Sequence, residues 1–356
     1  MPKRFGYLYE EIYSWQNLVN AYHKARRSKR HKDEVAEFEF NLEKELYHIQ
    51  DSLKNRSFQF SGYTFFTIHE PKERLISCAP FKDRVVHHAI CNVLEPILDR
   101  SLIPDSYACR RGKGLHCAVR RGFYFFKNSK YVYKFDIQKY FYTIDHDILI
   151  NKLERKIKDP NILVLLKVLL DTYTSSSEYY IPFEQDTLFE HGRKRGLPIG
   201  NLTSQIFANY YLSDFDHYMK EEMGCRNYIR YMDDILIFSD DNVFLRGIKE
   251  ISKIKLEEYR LKINENKNQI YKTQHGVNFL GFRYKDDRIK FHNSNLNRFK
   301  KKLRYFSSHQ TNISDMLLSI NGHLGYFNSG NCKRILYHIS NEFQFFDGKK
   351  CFKLAL

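Results

Sequence analysis

The sequence predicts an α+β fold with one antiparallel β-hairpin at its centre. Three observations lead to this prediction. Residues 34–53 place apolar side chains at helical spacing, residues 131–137 alternate as a half-buried strand does, and β-forming runs flank Met232-Asp233-Asp234. The chain is 356 residues long, which suits one large domain or two to three subdomains.

The first elements of the chain are predicted from local composition. Aromatic and β-branched residues predict a strand at residues 63–68, and helical spacing predicts a helix at residues 84–98. Asp145 is placed as the N-cap of the helix that follows the 131–137 strand. The loop at residues 196–205 precedes a further helix, which we expect to end at Gly224.

The C-terminal third continues the alternation of helices and strands. A helix is expected over about residues 243–259, a pair of strands over residues 276–291, and a basic helical segment from Asn295 onward. The strand that contains Asp136 is expected to end there.

The charge of the chain indicates a polyanionic partner. Lysine and arginine exceed aspartate and glutamate by 58 to 42, which gives a net charge of +16. Basic residues cluster at residues 23–32 and again from Arg283 to the end. Either cluster alone could be a solvated surface, but two clusters at opposite ends of the chain favour a long nucleic acid bound at several points.

Other function classes find little support in the composition. No apolar run approaches the roughly 18–20 residues that a membrane span requires. The seven cysteines form no CxxC pair, so neither a zinc site nor a disulfide framework is indicated. We therefore expect a reduced, cytoplasmic protein.

Three carboxylates form the strongest candidate for catalysis. Asp136 ends a predicted strand, and Asp233 and Asp234 lie at the tip of the predicted hairpin. Carboxylates from neighbouring strand ends can hold a pair of Mg²⁺ ions about 3.5–4 Å apart for in-line phosphoryl transfer. An Asp-Asp dipeptide is more often an ordinary turn, but the apolar β-forming runs on both sides, together with Tyr231, weaken that alternative.

The motifs around these carboxylates resemble those of reverse transcriptases. The motif YMDD lies between two apolar strands, downstream of KFDIQKYFYTID. Further similar stretches occur in the family's order: ERLISCAPFKDRVVHHAI, SYACRRGKGLHCAV, GLPIGNLTSQ, LKINENKNQI, GVNFLGF and NGHLGYFNSGN. The resemblance covers nearly the whole chain and implies a right-hand polymerase fold with fingers, palm and a helical thumb.

The resemblance also implies domain boundaries and a set of partners. The expected parts are an N-terminal helical basic extension (1–62), fingers (63–130), a palm (131–292, with an insertion at about 150–195) and a thumb (293–356). The implied ligands are template RNA, the cDNA/RNA hybrid, dNTPs and two Mg²⁺ ions, for which Mn²⁺ is a substitute.

Residue roles carry over from the family by position. The implied metal ligands are Asp136, Asp233, Asp234 and the backbone carbonyl of Ile137. Lys267 matches a lysine that protonates the leaving pyrophosphate, although its polar surroundings would equally suit a solvated loop. The implied primer grip is Phe279, Leu280 and Gly281, for which strand packing is an alternative.

The implied dNTP-binding residues come from the fingers and the palm: Lys72, Arg74, Arg84, Phe141, Ile199, Gly200 and Gln205. The arginines would neutralise the triphosphate, unless they are plain surface cations. Phe141 would exclude a ribose 2′-hydroxyl, unless it is a core residue.

Within the family, the motif GLPIGNLTSQ resembles that of the reverse transcriptases of bacterial diversity-generating retroelements. Most relatives place Gln-Gly where this chain has Ile199-Gly200, and Ser-Pro where it has Ser204-Gln205. The resemblance implies error-prone copying of a template-repeat RNA, with errors opposite adenine, and a small basic, oligomeric accessory protein. An isoleucine can form no side-chain hydrogen bond, so we hypothesise that Ile199 relaxes base discrimination.

Two alternatives remain open. A related bacterial reverse transcriptase of a retron or of an antiphage defence system would carry the same motifs. An RNA-binding scaffold that has lost its chemistry is disfavoured, because Asp136, Asp233, Asp234 and Arg84 are all present.

Overall fold

The computed structural model describes residues 4–69, 72–184, 186–309, 313–327, 345–346 and 351–352. Among these residues, no helix is both long and apolar enough to cross a membrane. Most of the sequence after Phe327, including the end of the motif NGHLGYFNSGN and much of the expected thumb, lies outside the described residues.

Helices make up most of the described structure. In chain order they are α1 Tyr9–Tyr13, α2 Trp15–Ala25, α3 Asp33–Phe40, α4 Leu42–Lys54, α5 Phe81–Asp99, α6 Gly114–Lys127, α7 Tyr140–Thr143, α8 His146–Glu154, α9 Pro160–Asp171, α10 Leu188–His191, α11 Leu202–Tyr211, α12 Ser213–His217, α13 Asn242–Glu257, α14 Asn293–Ser308 and α15 Ile313–Phe327. Several begin at an aspartate cap: the side chain of Asp145 accepts a hydrogen bond from the Ile148 amide at 3.0 Å.

The strands are short, and each pairs with an antiparallel neighbour. They are β1 Thr64–Ile68, β2 Arg74–Cys78, β3 Tyr131–Asp136, β4 Asn227–Tyr231, β5 Asp234–Ser239, β6 Gln269–Lys272, β7 Val277–Phe279, β8 Phe282–Lys285, β9 Arg288–Phe291, β10 Phe345–Phe346 and β11 Cys351–Phe352. The central sheet has the order β4-β5-β3-β6, and a second sheet has the order β7-β8-β9. The pairs β1-β2 and β10-β11 stand apart.

The central sheet is covered on both faces. Side chains such as Tyr133 and Phe135 pack into a core formed with the helices α1–α5, α8, α9 and α11–α13. Side chains of the opposite parity, such as Val132 and Leu236, pack into a second core with α6, α14, α15 and the sheet β7-β8-β9. Asp136 has the parity of Val132, so the catalytic candidates lie at the sheet end on the side of the second core.

Several sequence predictions are confirmed, including the strand that ends at Asp136, the Asp145 cap and the central hairpin. The strand pair predicted over residues 276–291 is wrong, because the structure forms three strands there. Two-residue turns with positive φ at both positions join them, at Leu280-Gly281 and at Asp286-Asp287. Such turns match the twist of hairpin strands, so each strand needs only three or four residues.

Other differences concern elements that the sequence did not predict. The strands β2 and β6 lack a strong apolar alternation, and they form because a neighbouring strand supplies the hydrogen bonds. The predicted loop 196–205 is shorter in the structure, because α11 already begins at Leu202. The helix after it is divided into α11, α12 and a π turn at Tyr218–Glu222. It still ends at Gly224, where φ is 67°.

A buried ion pair lies behind the central hairpin. Arg230 of β4 and Asp216 of α12 are both fully buried, and the guanidinium Nε donates to Asp216 Oδ1 at 2.7 Å. Arg230 Nη1 also donates to the carbonyl of Met232 at 3.0 Å, and Nη2 donates to the carbonyl of Asn209 at 3.1 Å. Tyr228 donates its hydroxyl to Asp216 at 2.6 Å. The network therefore connects the hairpin turn to α11 and α12.

We expect Asp216→Ala to lower the free energy of unfolding by about 3–5 kcal/mol, because it leaves the Arg230 charge buried without a partner. Urea denaturation measures the change. The control is Asp147→Ala, which removes a carboxylate that is 71% exposed and lies 3.3 Å from Arg193; a surface pair of this kind contributes about 0–1 kcal/mol. Equal losses in the two variants would contradict the role given to the buried pair.

Candidate active site

The three predicted carboxylates meet at one end of the central sheet. Asp136 is the last residue of β3 and lies directly opposite Asp234, the first residue of β5. Tyr231 pairs with Asp234 across the hairpin, so Met232 and Asp233 form a two-residue turn. Met232 accommodates the turn with a φ of 59°. The structure thus places the three carboxylates on adjacent backbone positions, as the sequence predicts.

These carboxylates oppose one another's ionisation. Burial, together with the charges of Asp234 and Asp136, raises the pKa of Asp233 to about 6 against the opposing effect of Lys267. The pKa of Asp234 is also raised, by burial and by the charge of Asp136. The ammonium groups of Lys134, Lys267 and Lys72 lower this pKa but do not outweigh the burial. Negative charge is therefore concentrated in a partly desolvated cluster of carboxylates, which is typical of a site that binds metal cations.

Lys267 lies against this cluster. It ends a 3₁₀ turn at Glu265–Lys267, and its ammonium contacts Asp136 Oδ2 in a hydrogen-bonded ion pair. Burial lowers the pKa of Lys267, but the hydrogen bond to Asp136 and the charges of the aspartates outweigh that effect and leave the pKa raised. The lysine is therefore held protonated beside the carboxylates.

The donor set fits a divalent cation that prefers oxygen ligands. Asp136 Oδ1 is buried and has no hydrogen-bond partner, and Oδ2 of the same carboxylate already has a cationic neighbour in Lys267. In the described part of the chain, however, no three His, Cys, Asp or Glu side chains are spaced to hold a metal ion as they stand. The assignment of Asp136, Asp233 and Asp234 as metal ligands therefore stays a prediction.

The backbone next to Asp136 is fixed by the segment before Lys267. Asn264 donates its amide to the carbonyl of Asp136 at 2.9 Å, and Gln138 donates to the carbonyl of Lys262 at 2.8 Å. Ile137 lies between these two bonds and is 2% exposed. Its predicted role as a carbonyl ligand is not tested by these contacts.

The segment that precedes α11, residues 196–201, joins the hairpin β1-β2 to the end of the sheet that carries the carboxylates. The Leu197 amide donates to the carbonyl of Phe141 at 2.7 Å, and the Ser77 amide of β2 donates to the carbonyl of Ile199 at 2.8 Å. Gly200 has a φ of 129°, and a Cβ there would lie 2.6 Å from the carbonyl oxygen of Ser77. The close approach of β2 therefore requires glycine at this position.

Two further predicted dNTP-binding residues, Phe141 and Gln205, are half-buried. Phe141, in α7, packs against the larger core but stays partly exposed. Both the predicted contact with a ribose and the alternative role as a core residue are compatible with this position. Gln205 is half-buried on α11. Backbone hydrogen bonds thus connect the segment that contains Ile199 and Gly200 to Phe141 on one side and to β2 on the other.

The predicted triphosphate-binding cations separate into two groups. Lys72 is exposed and close enough to the carboxylates to lower the pKa of Asp234. Arg74, also exposed, begins β2 and pairs with Ile68. Arg84 is different, because its guanidinium pairs with Glu34 of α3 and lies 5.3 Å from the ring centroid of Phe81.

The assignment of Arg84 to triphosphate binding therefore stays a prediction, and the structure gives this residue a structural contact as well. Its side chain is only 12% exposed, and its contacts connect α5 to the N-terminal helices. A charged side chain that is mostly buried is stabilised by a fixed partner, and Glu34 supplies one. Lys72 and Arg74 remain the cations of this set that lie in the exposed part of the hairpin β1-β2.

The three residues of the predicted primer grip differ in how they are packed, and their role at the primer stays a prediction. Phe279 is 1% exposed and belongs to the second core, which supports the strand-packing alternative for this residue. Leu280 and Gly281 form the β7-β8 turn, and the Leu280 carbonyl accepts a hydrogen bond from Tyr326 at 2.8 Å. At Gly281 a Cβ would collide with the Tyr326 hydroxyl and Asn295. The turn is therefore docked against α14 and α15.

Two residues that the sequence analysis missed support the site. Lys134 lies two positions before Asp136 on the same face of β3, and its ammonium donates to the carbonyl of Asn278 at 2.6 Å. It therefore connects the catalytic strand to the strand before the Leu280-Gly281 turn. Arg230 supports the turn at Met232 from behind. A lysine or arginine at an inward position of an otherwise apolar strand is the sequence signal that could have identified both.

We expect Gly200→Ala to lower the free energy of unfolding by about 1–3 kcal/mol, because the added methyl group meets the backbone of Ser77 and the φ of Gly200 is strained for alanine. Urea denaturation measures this loss. Gly247→Ala in α13 is the matched control, since a Cβ there meets nothing within 4 Å. A helix-interior alanine should raise stability by up to about 1 kcal/mol. A loss of stability in both variants would contradict the constraint at Gly200.

We expect Asp233→Asn to raise the free energy of unfolding of the metal-free protein by about 1–2 kcal/mol at pH 7.5. The pKa of Asp233 is raised from 3.8 to about 6 in the folded state, so the folded protein binds this proton more tightly than the unfolded chain. Stability present below pH 4 is therefore lost as the pH rises through 6, and the asparagine removes that loss.

Thermal and urea unfolding between pH 4 and 8, in buffer with a chelator, measure this difference. Added Mg²⁺ should then stabilise the wild type and have a smaller effect on Asp233→Asn. Asp287→Asn is the matched control, because it changes the exposed Asp-Asp turn of β8-β9 and should leave the pH profile unaltered. A pH profile of Asp233→Asn identical to that of the wild type would contradict the electrostatic interpretation.

Comparison with known proteins shows that the chain matches one protein family over more than half of its length. The family described as "Reverse transcriptase (RNA-dependent DNA polymerase)" matches residues 68–284, which is more than half of the chain. Curated relatives include a putative COX1/OXI3 intron 1 protein of Saccharomyces cerevisiae, 24% identical over 68% of this chain and 28% of that protein. Protein YkfC of Escherichia coli is 24% identical over 60% of this chain and 63% of its own length.

A further relative is the group II intron-encoded protein LtrA of Lactococcus lactis, 27% identical over 42% of this chain and 23% of that protein. The chain thus spans less than two thirds of the length of these relatives. Among solved structures, a telomerase of Candida tropicalis truncated from its C-terminal domain is similar with a TM-score of 0.48 and 14% identity, over 65% of this chain and 55% of that one. The family match and the helix-covered sheet with its acidic hairpin identify a right-hand polymerase fold. The chain belongs to the reverse transcriptase family.

Proposed function

We propose that the chain is an RNA-directed DNA polymerase that makes cDNA by joining a primer 3′-hydroxyl to the α-phosphate of a dNTP. The observation that carries this proposal is the meeting of Asp136, Asp233 and Asp234 at one sheet end, with the ammonium of Lys267 beside them. In our proposal the fingers are residues 63–130, the palm 131–292 and the thumb 293–356, preceded by the extension 1–62.

Members of the family generally use divalent metal ions, and Asp136, Asp233 and Asp234 would hold two Mg²⁺ here, with the Ile137 carbonyl as a further ligand. When bound, such ions lower the pKa of the attacking hydroxyl and neutralise the charge of the triphosphate. Mn²⁺ would be accepted in their place, because both ions prefer oxygen ligands.

The chain's own cations supply the other part of the chemistry. Lys267 is kept protonated by Asp136, so its ammonium can donate a proton to an oxygen of the leaving pyrophosphate. Lys72 and Arg74, on the exposed hairpin β1-β2, neutralise the incoming triphosphate. Phe141 limits the space at the sugar and so favours deoxyribose.

We further propose that the chain serves a diversity-generating retroelement in the cytoplasm of a bacterial host. Support comes from Ile199, whose backbone is fixed between Ser77 of β2 and the Leu197–Phe141 bond. An aliphatic residue held at this place packs against the nascent base pair without offering it a hydrogen bond. The template would be a template-repeat RNA, errors would occur opposite adenine, and a small basic oligomeric protein would assist.

A second candidate follows from the names of the relatives. Several are intron-encoded proteins, and this favours cDNA synthesis for another kind of bacterial retroelement, to which the retron and antiphage-defence alternatives also belong. The neighbouring DNA separates the candidates. A nearby pair of near-identical repeats that differ mainly at adenines indicates diversity generation, and their absence indicates one of the other roles.

We expect Ile199→Gln to lower misincorporation opposite template adenine by about tenfold, which corresponds to about 1.4 kcal/mol of added discrimination. Sequencing of the cDNA made on a defined RNA, with and without co-purified partners, measures it. Ile199→Leu is the matched control and should keep the wild-type error rate. Asp233→Asn should abolish synthesis on the same RNA while the protein stays folded. An unchanged error spectrum in Ile199→Gln would refute the role of Ile199 while leaving the polymerase activity in place.

A further inference from the structure

A second basic and aromatic site lies in the N-terminal part of the chain. A cavity of about 370 Å³ opens between the segment before α1, the C-terminal end of α4 and the N-terminal end of α9. None of these segments carries a predicted active-site residue. Its lining includes three tyrosines and three cations: Tyr7, Tyr9, Tyr13, Lys54, Arg56 and Lys158.

The cavity has a fixed wall. The buried carboxylate of Asp159 accepts hydrogen bonds from the amides of Leu8 and Tyr9, both at 3.0 Å. Tyr9 donates its hydroxyl to the carbonyl of Leu53 at 2.6 Å, which ties the segment to α4. Tyr9 and Tyr13 make an edge-to-face contact with ring centroids 5.5 Å apart. The N-terminal segment is therefore held in one shape against α4 and α9.

Two residues of the cavity adopt backbone conformations that glycine adopts with less strain. The φ of Tyr7 is 58°, and the φ of Arg56, which follows the C-cap residue Asn55 of α4, is also 58°. The residue that follows a helix in this conformation is most often glycine. Tyr7 is moreover 95% exposed, so its ring adds nothing to the core. These conformations fix the direction in which Tyr7 and Arg56 leave the backbone at the rim of the cavity.

The cations around the cavity are free of internal partners. Within the described residues, Lys54, Arg56 and Lys158 are exposed and form no ion pair or side-chain hydrogen bond. Glu10 also lines the cavity, and the Asp159 carboxylate is engaged by the backbone. Three cations against one available carboxylate leave the cavity with a positive balance. Aromatic faces beside unpaired cations are the combination that binds single-stranded nucleic acid.

We propose that this cavity binds a short single-stranded RNA segment at a site separate from the catalytic end of the sheet. A base stacks on the exposed ring of Tyr7, and the phosphates on either side contact Lys54, Arg56 and Lys158. The site holds the single-stranded part of an RNA whose primed part occupies the polymerase cleft. The inference rests on the chain being a nucleic-acid polymerase, but it does not depend on the kind of retroelement.

Binding of a fluorescein-labelled 12-nucleotide oligo(U) RNA to the full chain tests this proposal. An excess of blunt RNA/DNA hybrid fills the cleft, and fluorescence anisotropy is recorded at several salt concentrations. Tyr7→Ala should raise the Kd about tenfold through loss of stacking, and Tyr7→Trp should restore it. Arg56→Ala should lower the magnitude of the slope of log K against log salt by about one.

The matched controls lie outside the cavity. Phe40→Ala removes a ring that is 89% exposed on α3, and Lys44→Ala removes an exposed lysine of α4. Both should keep the wild-type Kd within about twofold. Extension of a short, fully paired primer–template should be the same in Tyr7→Ala as in the wild type. Failure of the wild type to extend it would refute the polymerase activity but not RNA binding by the cavity.

Three results would overturn the proposal. The first is a Kd that stays within twofold of the wild type in both Tyr7→Ala and Arg56→Ala. The second is displacement of the RNA by ATP as effectively as by unlabelled RNA at equal nucleotide concentration, because the cavity would then bind free nucleotides. The third is loss of extension in Tyr7→Ala on the short duplex, because Tyr7 would then act through the catalytic site.

Discussion

The buried ion pair between Arg230 and Asp216 is the interaction on which the catalytic end of the sheet depends. It joins β4 to α12, and through the Met232 carbonyl it also fixes the turn that presents Asp233. The backbone of Arg230 binds the segment around Asp105 as well, with N–O distances of 3.0 Å on both sides. The carboxylates oppose one another's ionisation, so the turn that carries them needs support from behind, which this network supplies.

Two further connections hold the surroundings of the carboxylates, one from β3 itself and one from the segment that precedes α11. On one side Lys134 binds the carbonyl of Asn278, so β3 and the turn after β7 are held at a fixed separation. On the other side the loop that contains Ile199 binds Ser77 of β2. These two connections therefore fix the carboxylate end of the sheet relative to the turn after β7 on one side and to the hairpin β1-β2 on the other.

Two Asp-Asp dipeptides in the chain show how far local sequence can be interpreted. Asp286-Asp287 forms an ordinary two-residue turn on the surface, with positive φ at both residues. Asp233-Asp234 lies between longer apolar strands, one of which pairs with the strand that ends in Asp136. Those flanking runs allowed the second dipeptide to be predicted as the catalytic one. The short strands β2 and β6 offered no such signal, because neither has a clear apolar alternation, and the pairing partner of β6 also lies far away in sequence.

The sequence by itself determined the α+β class, the position of the central hairpin, the cap at Asp145 and the identity of the three carboxylates. Each of these follows from patterns that extend over fewer than about twenty residues and that act through local backbone preference. Only the tertiary structure decided that Arg84 pairs with Glu34, that Phe279 is buried, and that three cations without partners among the described residues line one cavity with Tyr7. Those outcomes depend on which helices and strands meet, and pairing between distant segments has no local signature.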